Sequence, residues 1–219
     1  MSNILIQNYQ KVASSIPKDV TLVAVSKTKP KEDISVLYNE GQRVFGENRI
    51  EELVEKSQAL PSDIEWHMIG HLQSKKVKKI APFISLIHSI DSLKLLNEVN
   101  KEAKKNERII DCLLQFHIAE EDSKYGFNEK EGTALLQSSE FKEMGNIRIV
   151  GVMGMATFTE NQDQIKTEFE TLIQIREKIK ELLPKATEIS MGMSGDYTLA
   201  IQQGSTMVRI GSTIFGHRN

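Results

Sequence analysis

The chain has a single cysteine, Cys112, in 219 residues. A lone cysteine excludes an internal disulfide and every metal motif built on several thiolates, and it suits a reducing, cytoplasmic setting. Prolines number five and glycines 13, and nowhere do they gather with serine into a linker. No run approaches the roughly 18 consecutive apolar residues of a membrane-crossing helix. The opening stretch MSNILIQNYQKVASSIPKD lacks a basic segment followed by an apolar one, so it does not read as a secretion signal. An excess of charge of one sign is missing too. The 28 Lys and Arg against 30 Asp and Glu leave a net charge of −2, which gives non-specific nucleic-acid binding no electrostatic basis. What remains is 39% hydrophobic and 26% charged, the composition of a soluble protein with a real core. The expectation is a cytoplasmic protein with neither a nucleic-acid nor a membrane partner.

Short runs rich in Val, Ile, Leu and Met recur along the chain, each followed by a longer amphipathic, charged segment. The candidate strands are TLVAVS (21–26), RVFG (43–46), EWHMIG (65–70), SLIHSI (85–90), RIIDCLLQFH (108–117), IRIVGVMGM (147–155), TEISMG (187–192) and TMVRIG (206–211). Helical stretches lie between them. PKEDISVLYNEG opens with Pro30 in a first turn and closes at Gly41. Asp91 and Ser92 can cap SLKLLNEVNKEAKKN. The longest places Ile165, Phe169, Leu172, Ile173, Ile175 and Ile179 largely on one side, and Pro184 stops it.

Strands alternating with helices argue for a parallel sheet, because parallel neighbours need a crossover. Eight strand-like runs within 219 residues match the small end of a (β/α)8 barrel. No GxGxxG follows the first strand, so a dinucleotide-binding open sheet lacks its best signature. Leu22, Val23, Ala24 and Val25 are all apolar, as a strand buried on both faces requires. The reading is an α/β protein: a TIM-type barrel forming one domain over residues 1–219, preceded by a helix at about 2–16.

Such barrels carry their reactive groups at the C-terminal ends of the strands. After the first comes Lys27, which by two-residue alternation shares a face with Val23 and Val25. If that face looks inward, an amine among apolar neighbours gains neutral, nucleophilic character. Otherwise Lys27 is a solvated lysine like Lys29 and Lys31. After the seventh comes SMGMSGD (190–196), leading into a helix; after the eighth, Gly211, Ser212 and Thr213. Small residues and hydroxyls in these two loops suit a phosphate, although Ser194 or Asp196 could equally be a plain helix cap. Arg209, within the last strand, is either a ligand contact or half of an ion pair at the rim, since a buried guanidinium is costly alone. Asn48 could hold a ligand or cap the following helix.

Other features carry less. His67 and His71 stand four apart without the order of a zinc-binding helix. His117 reads as a hydrogen-bonded rim residue, and Lys75, Lys76, Lys78 and Lys79 as a solvated face. The methionines of the two MGM stretches read as barrel packing, some of them able to line a flat ring. Cys112 reads as inert core.

Taken together, VAVSKTKP (23–30), FGENRIEE (45–52), WHMIGHLQSKK (66–76), SKYGF (123–127) and SMGMSGDYTLAIQQGSTMVRIGSTIFGHR (190–218) resemble the pyridoxal 5′-phosphate (PLP) homeostasis proteins of the YggS/PROSC type. These share a barrel with the N-terminal domain of alanine racemase. The likeness runs from about residue 20 onward, with Ser212 where threonine is also common. It implies that Lys27 carries PLP as an internal aldimine, a reversible Schiff base. It further implies that Ser194, Gly211 and Ser212 bind the phosphate, that Arg209 faces the pyridine nitrogen, and that Asn48 lies near the lysine–ring junction.

Three functions follow for comparison: a PLP carrier or regulator, a PLP-dependent amino-acid racemase, and a cofactor-free aldolase built on Lys27. PLP catalysis uses the ring as an electron sink, commonly with a carboxylate keeping the pyridine nitrogen protonated. An arginine cannot take up that proton at neutral pH, so the sink is weak. Alanine racemase tolerates such an arginine but draws a tyrosine base from a second domain and a partner subunit, and the barrel here consumes the chain. The aldolase leaves the phosphate-type loops unexplained unless its substrate is phosphorylated. The sequence therefore reads as a non-enzymatic, monomeric PLP carrier, with apo PLP-dependent enzymes as recipients.

Overall fold

The computed structural model describes residues 2–120 and 125–216. Eight parallel strands close into a barrel with neighbours in chain order: β1 (Thr21–Val25), β2 (Val44–Glu47), β3 (Glu65–Met68), β4 (Leu86–Ile90), β5 (Ile110–Gln115), β6 (Ile147–Met153), β7 (Glu188–Met193) and β8 (Met207–Ile210). Closure is made by β1 on β8, where Val23 stands opposite Arg209. All eight expected strands are present. Their ends differ where a local contact outcompetes the ladder. Arg108, expected to open β5, instead donates its backbone N–H to Ala103 O, and its carbonyl accepts from Asn146 Nδ2, each at 3.0 Å. Gly154 and Met155, expected in β6, lie beyond it, and the Gly154 carbonyl accepts from Arg209.

The helices are α1 (Ser2–Ser15), α2 (Lys31–Asn39), α3 (Ile50–Ala59), α4 (Leu93–Lys105), α5 (Glu129–Gln137), α6 (Ser139–Lys142), α7 (Gln162–Leu182), α8 (Tyr197–Gln202) and α9 (Ser212–Phe215), with a 3₁₀ turn at Ser74–Lys79. Pro30 sits just before the first helical residue of α2 rather than within its first turn, since it can supply the entry angle without an N–H. Ser92 caps α4 by accepting from Leu95 N–H. Asn128 and Glu131 form a reciprocal capping box on α5. Along α7, Ile165, Phe169, Leu172, Ile175 and Ile179 are buried as the periodicity expects, and Ile173 is half-buried. No helix among the described residues is long and apolar enough to cross a membrane.

Two layers of packing result. The larger lies between sheet and helices and includes Ala24, Phe45, Trp66, Cys112 and Phe169. Cys112 is fully buried and its thiol is pushed up by desolvation, so it is inert core as expected. A smaller cluster of Leu86, Leu113, Met153 and Met207 fills the barrel's interior, the packed floor that this architecture requires. Two residues further along β4 and β8 stand His88 and Arg209. The apolar floor therefore gives way to polar side chains just below the mouth.

Candidate functional site

A cavity of about 1100 Å³ opens at the C-terminal ends of the strands. All six residues singled out from the sequence line it: Lys27, Asn48, Ser194, Arg209, Gly211 and Ser212. They come from the ends of β1, β2, β7 and β8. Ser123, Lys124, His217 and Arg218, within two of the resembling stretches, lie outside the described residues.

Lys27 stands two residues past β1. Val25 lines the cavity and Ala24 packs in the outer layer, so the face carrying Lys27 is the inward one. The backbone on either side of it is strapped down. Ser26 donates to Glu47 Oε1 at 2.6 Å, and Lys56 Nζ donates to both Ser26 O (2.9 Å) and Glu47 Oε1 (2.7 Å). Thr28 N–H donates to Glu52 Oε2 at 2.7 Å. Thr28 has φ +64°, a left-handed conformation that a β-branched residue adopts only under constraint. Lys29, the neighbouring alternative, also lines the cavity, but its ammonium donates to the carbonyls of Phe215 and Gly216. Lys31 is exposed at the start of α2. Of the three lysines, Lys27 is the one both presented to the cavity and held by its flanks.

Asn48 does not cap α3, whose first turn receives no side-chain cap. Its Oδ1 is instead buried, with no hydrogen-bond partner among the described residues. Gly70 makes this placement possible, because a Cβ there would fall 2.6 Å from Asn48 O and 3.0 Å from its Cβ. An orphan buried acceptor costs free energy until something donates to it.

The loops after β7 and β8 are joined through Ser194, whose hydroxyl accepts from the N–H groups of Gly211 (3.2 Å) and Thr213 (3.4 Å). It is therefore not the cap of α8. Nor does Asp196 cap that helix: its carboxylate accepts from Met193 N–H instead. Gly192 permits the close turn, with φ +91° and Ala200 Cβ only 2.5 Å from where its own Cβ would sit. The result is a corner of N–H groups and hydroxyls, including Ser212, that suits an oxyanion.

Arg209 is 4% exposed. Among the described residues it makes no ion pair within contact distance. One nitrogen donates to Ser190 Oγ at 2.6 Å and another to Gly154 O at 3.1 Å. Burial pulls its pKa down to about 10, and Asp196 opposes that shift, so the guanidinium stays cationic at neutral pH. Met155 and Met193 line the cavity, while Met153 and Met191 pack as core.

Sequence reasoning missed the polar residues behind this wall. His67 and His71 form no pair. His67 lies inside the barrel against His88 at 3.0 Å, and His71 reaches Asp91 at 3.2 Å and stacks on Tyr125. No cluster suited to a metal occurs among the described residues. His88 and Ser190 sit on the inward phase of their strands, whereas Glu47 shares the outward phase of Phe45 and meets Lys56 of α3 there, so periodicity alone could state which way each points but not what it meets. Buried Glu168 of α7 accepts from Thr157 N–H (2.6 Å), Thr157 Oγ1 (2.7 Å) and Glu120 N–H (3.3 Å), tying together the loops after β5 and β6.

The alanine racemase N-terminal domain family matches residues 2–219. The pyridoxal phosphate homeostasis protein of Aquifex aeolicus is 37% identical over 199 residues, spanning 90% of this chain and 86% of that protein. The protein of the same name from Bos taurus is 38% identical over 231 aligned positions, spanning 97% and 84%. Among solved structures, PipY of Synechococcus elongatus with PLP bound superposes with a TM-score of 0.88 at 31% identity, over 97% of this chain and 100% of PipY. With its closed barrel and matches of this extent, the chain belongs to the pyridoxal phosphate homeostasis protein family, within the wider alanine racemase N-terminal domain family.

Proposed function

We propose that this protein binds PLP in the cavity above the barrel, holds it reversibly as a Schiff base on Lys27, and serves PLP homeostasis as a carrier rather than a catalyst. The observation that carries this reading is convergence. Lys27, Arg209, Asn48, Ser194, Gly211 and Ser212, which bring an amine, a cationic guanidinium, an amide and two hydroxyls, line one cavity. Each suits a different part of PLP, and the PLP-bound relative has the same fold. When bound, PLP supplies an aldehyde with which a lysine amine condenses reversibly, releasing water. Lys27 provides the amine, and the straps at Ser26 and Thr28 hold its backbone. Ser194 and Ser212 would hold the phosphate through their hydroxyls, and Gly211 would let it approach the backbone closely. Arg209, which keeps its proton at neutral pH, would face the ring nitrogen, and Asn48 would lie near the lysine–ring junction.

The carrier reading is favoured over a racemase by what else lines the cavity. Among the described lining residues the titratable groups are Lys27, Lys29, Asp196 and Arg209. Lys29 is engaged by carbonyls and Asp196 by a backbone N–H, which leaves no evident second base opposite Lys27. At about 1100 Å³ the cavity is slightly larger than the roughly 300–1,000 Å³ of most small-molecule sites, and Phe158 on its rim is 96% exposed. A wide mouth lets the cofactor leave intact towards apo PLP-dependent enzymes. The protein works as one barrel domain and a cytoplasmic monomer. Borohydride reduction of PLP-loaded protein, followed by peptide mapping, is expected to place the pyridoxyl mass on Lys27. Finding it on Lys29 or Lys31, or nowhere, would refute the assignment.

A further inference from the structure

Behind Arg209, four buried polar side chains from four strands touch in sequence across the barrel. Arg209 of β8 donates to Ser190 Oγ of β7 at 2.6 Å. Ser190 Oγ lies 2.9 Å from His88 Nδ1 of β4, and His88 Nε2 lies 3.0 Å from His67 Nδ1 of β3. All four are at most 4% exposed. Arginine has only donors, a neutral imidazole has one donor and one acceptor, and a hydroxyl has a single proton to give. Those inventories fix the direction of the whole chain.

Ser190 accepts from Arg209, and among the described residues its one other side-chain partner is His88. If His88 Nδ1 carried a proton, the Ser190 O–H would be buried with nothing to accept it, a cost of about 1–3 kcal/mol. Ser190 therefore donates to His88 Nδ1, His88 is protonated on Nε2 and donates to His67 Nδ1, and His67 is likewise protonated on Nε2. Both rings are neutral. Burial lowers the His67 pKa to about 3, and burial, His67 and Arg209 together lower that of His88.

We infer that Ser190, His88 and His67 form a one-directional hydrogen-bond relay that fixes Arg209 in place beneath the cavity as a permanent donor, with Ser190 as its positioning residue. The relay gives the guanidinium an acceptor without giving it a carboxylate. Arg209 is thereby anchored while its charge is left unneutralised at contact distance. Each hydrogen bond from Arg209 to His67 runs downwards, away from the cavity, so none of those protons is directed up at a ligand. What Arg209 then addresses is an unprotonated acceptor. The consequence for PLP rests on the reading of the site above; the proton order does not.

Nitrogen-15 NMR of the ligand-free protein at pH 7 tests that order without any variant. Both His67 and His88 are expected as neutral Nε2–H tautomers with bare Nδ1, and a proton on Nδ1 of either ring overturns the relay. For the positioning role, PLP dissociation is followed by transfer to an excess of a PLP-trapping apo-enzyme. Ser190→Ala, which removes one hydrogen bond to a charged group, is expected to accelerate release about tenfold. Ser190→Thr, which keeps the hydroxyl, should restore the slower rate. Release from Ser190→Ala at the wild-type rate rejects Ser190 as the positioning residue. If wild-type protein takes no pyridoxyl label on Lys27, the reading of the site fails, while the tautomers still decide the relay.

Discussion

Replacing Lys56 by methionine probes the strap beneath Lys27. Lys56 Nζ is the one ammonium bonded to Glu47 among the described residues. Glu47 is fully buried, and its Oε2 already lacks a partner. Methionine keeps the length and apolar stem of the lysine but removes the charge, so Glu47 is left with the Ser26 hydroxyl alone. Breaking a buried pair from one side costs about 3–5 kcal/mol. For a chain of this size that lowers Tm by about 6–20 °C. Burial raises the Glu47 pKa from its ordinary value, and the hydrogen bonds from Lys56 and Ser26 pull it back, so losing Lys56 raises it further. A carboxyl whose folded-state pKa is raised binds its proton more tightly in the folded protein. The deficit is therefore largest at neutral pH, and it shrinks as pH falls through the folded-state pKa towards the unfolded value near 4.5. Thermal unfolding of wild type and variant, compared pairwise from pH 8 to pH 5, should show the gap closing. Adding Glu47→Gln to Lys56→Met should recover most of the loss at pH 7. A gap that is independent of pH, together with no recovery in the double variant, would refute the argument. The damage would then come from packing and not from a stranded carboxylate.

Asn48→Ala removes an orphan buried acceptor, so the ligand-free protein should lose no stability and gain up to about 1 kcal/mol; scanning calorimetry with and without PLP should also show a smaller ligand-induced rise in Tm. Thr28→Gly relieves a left-handed φ on a β-branched residue, and after glycine's own entropy cost the net gain should be about 1 kcal/mol in chemical denaturation. Gly192→Ala meets both the positive φ and the Ala200 Cβ, and a fall in Tm of at least about 5 °C is expected. Ser194→Glu sets a carboxylate in the proposed phosphate corner, so equilibrium dialysis should show a severe loss of PLP retention. Wild-type protein should hold pyridoxal, which lacks the phosphate, far less well than PLP; equal retention of the two would remove the phosphate role from these loops.

Much of this protein is written in local pattern. Eight short apolar runs separated by amphipathic segments allow a parallel sheet, because each segment is long enough to be its crossover. The runs at the ends of β1, β7 and β8 already carried Lys27, Ser194, Arg209, Gly211 and Ser212, since in a barrel the strand end is also the site. Only the tertiary structure decided how those residues are held. Whether Ser194 caps α8 or bridges to Gly211 depends on how near the seventh loop comes to the eighth, and no local signal encodes that distance. Glu47, Lys56 and Glu52 flank Lys27 only because β2 and α3 pack against the end of β1. His67, His88, Ser190 and Arg209 are spread over more than 140 positions of sequence, and they touch because closing the sheet turns one face of β3, β4, β7 and β8 onto a common axis. Periodicity states which way a side chain points. The partner it meets there is set by closure of the barrel, where every buried donor needs an acceptor from another strand.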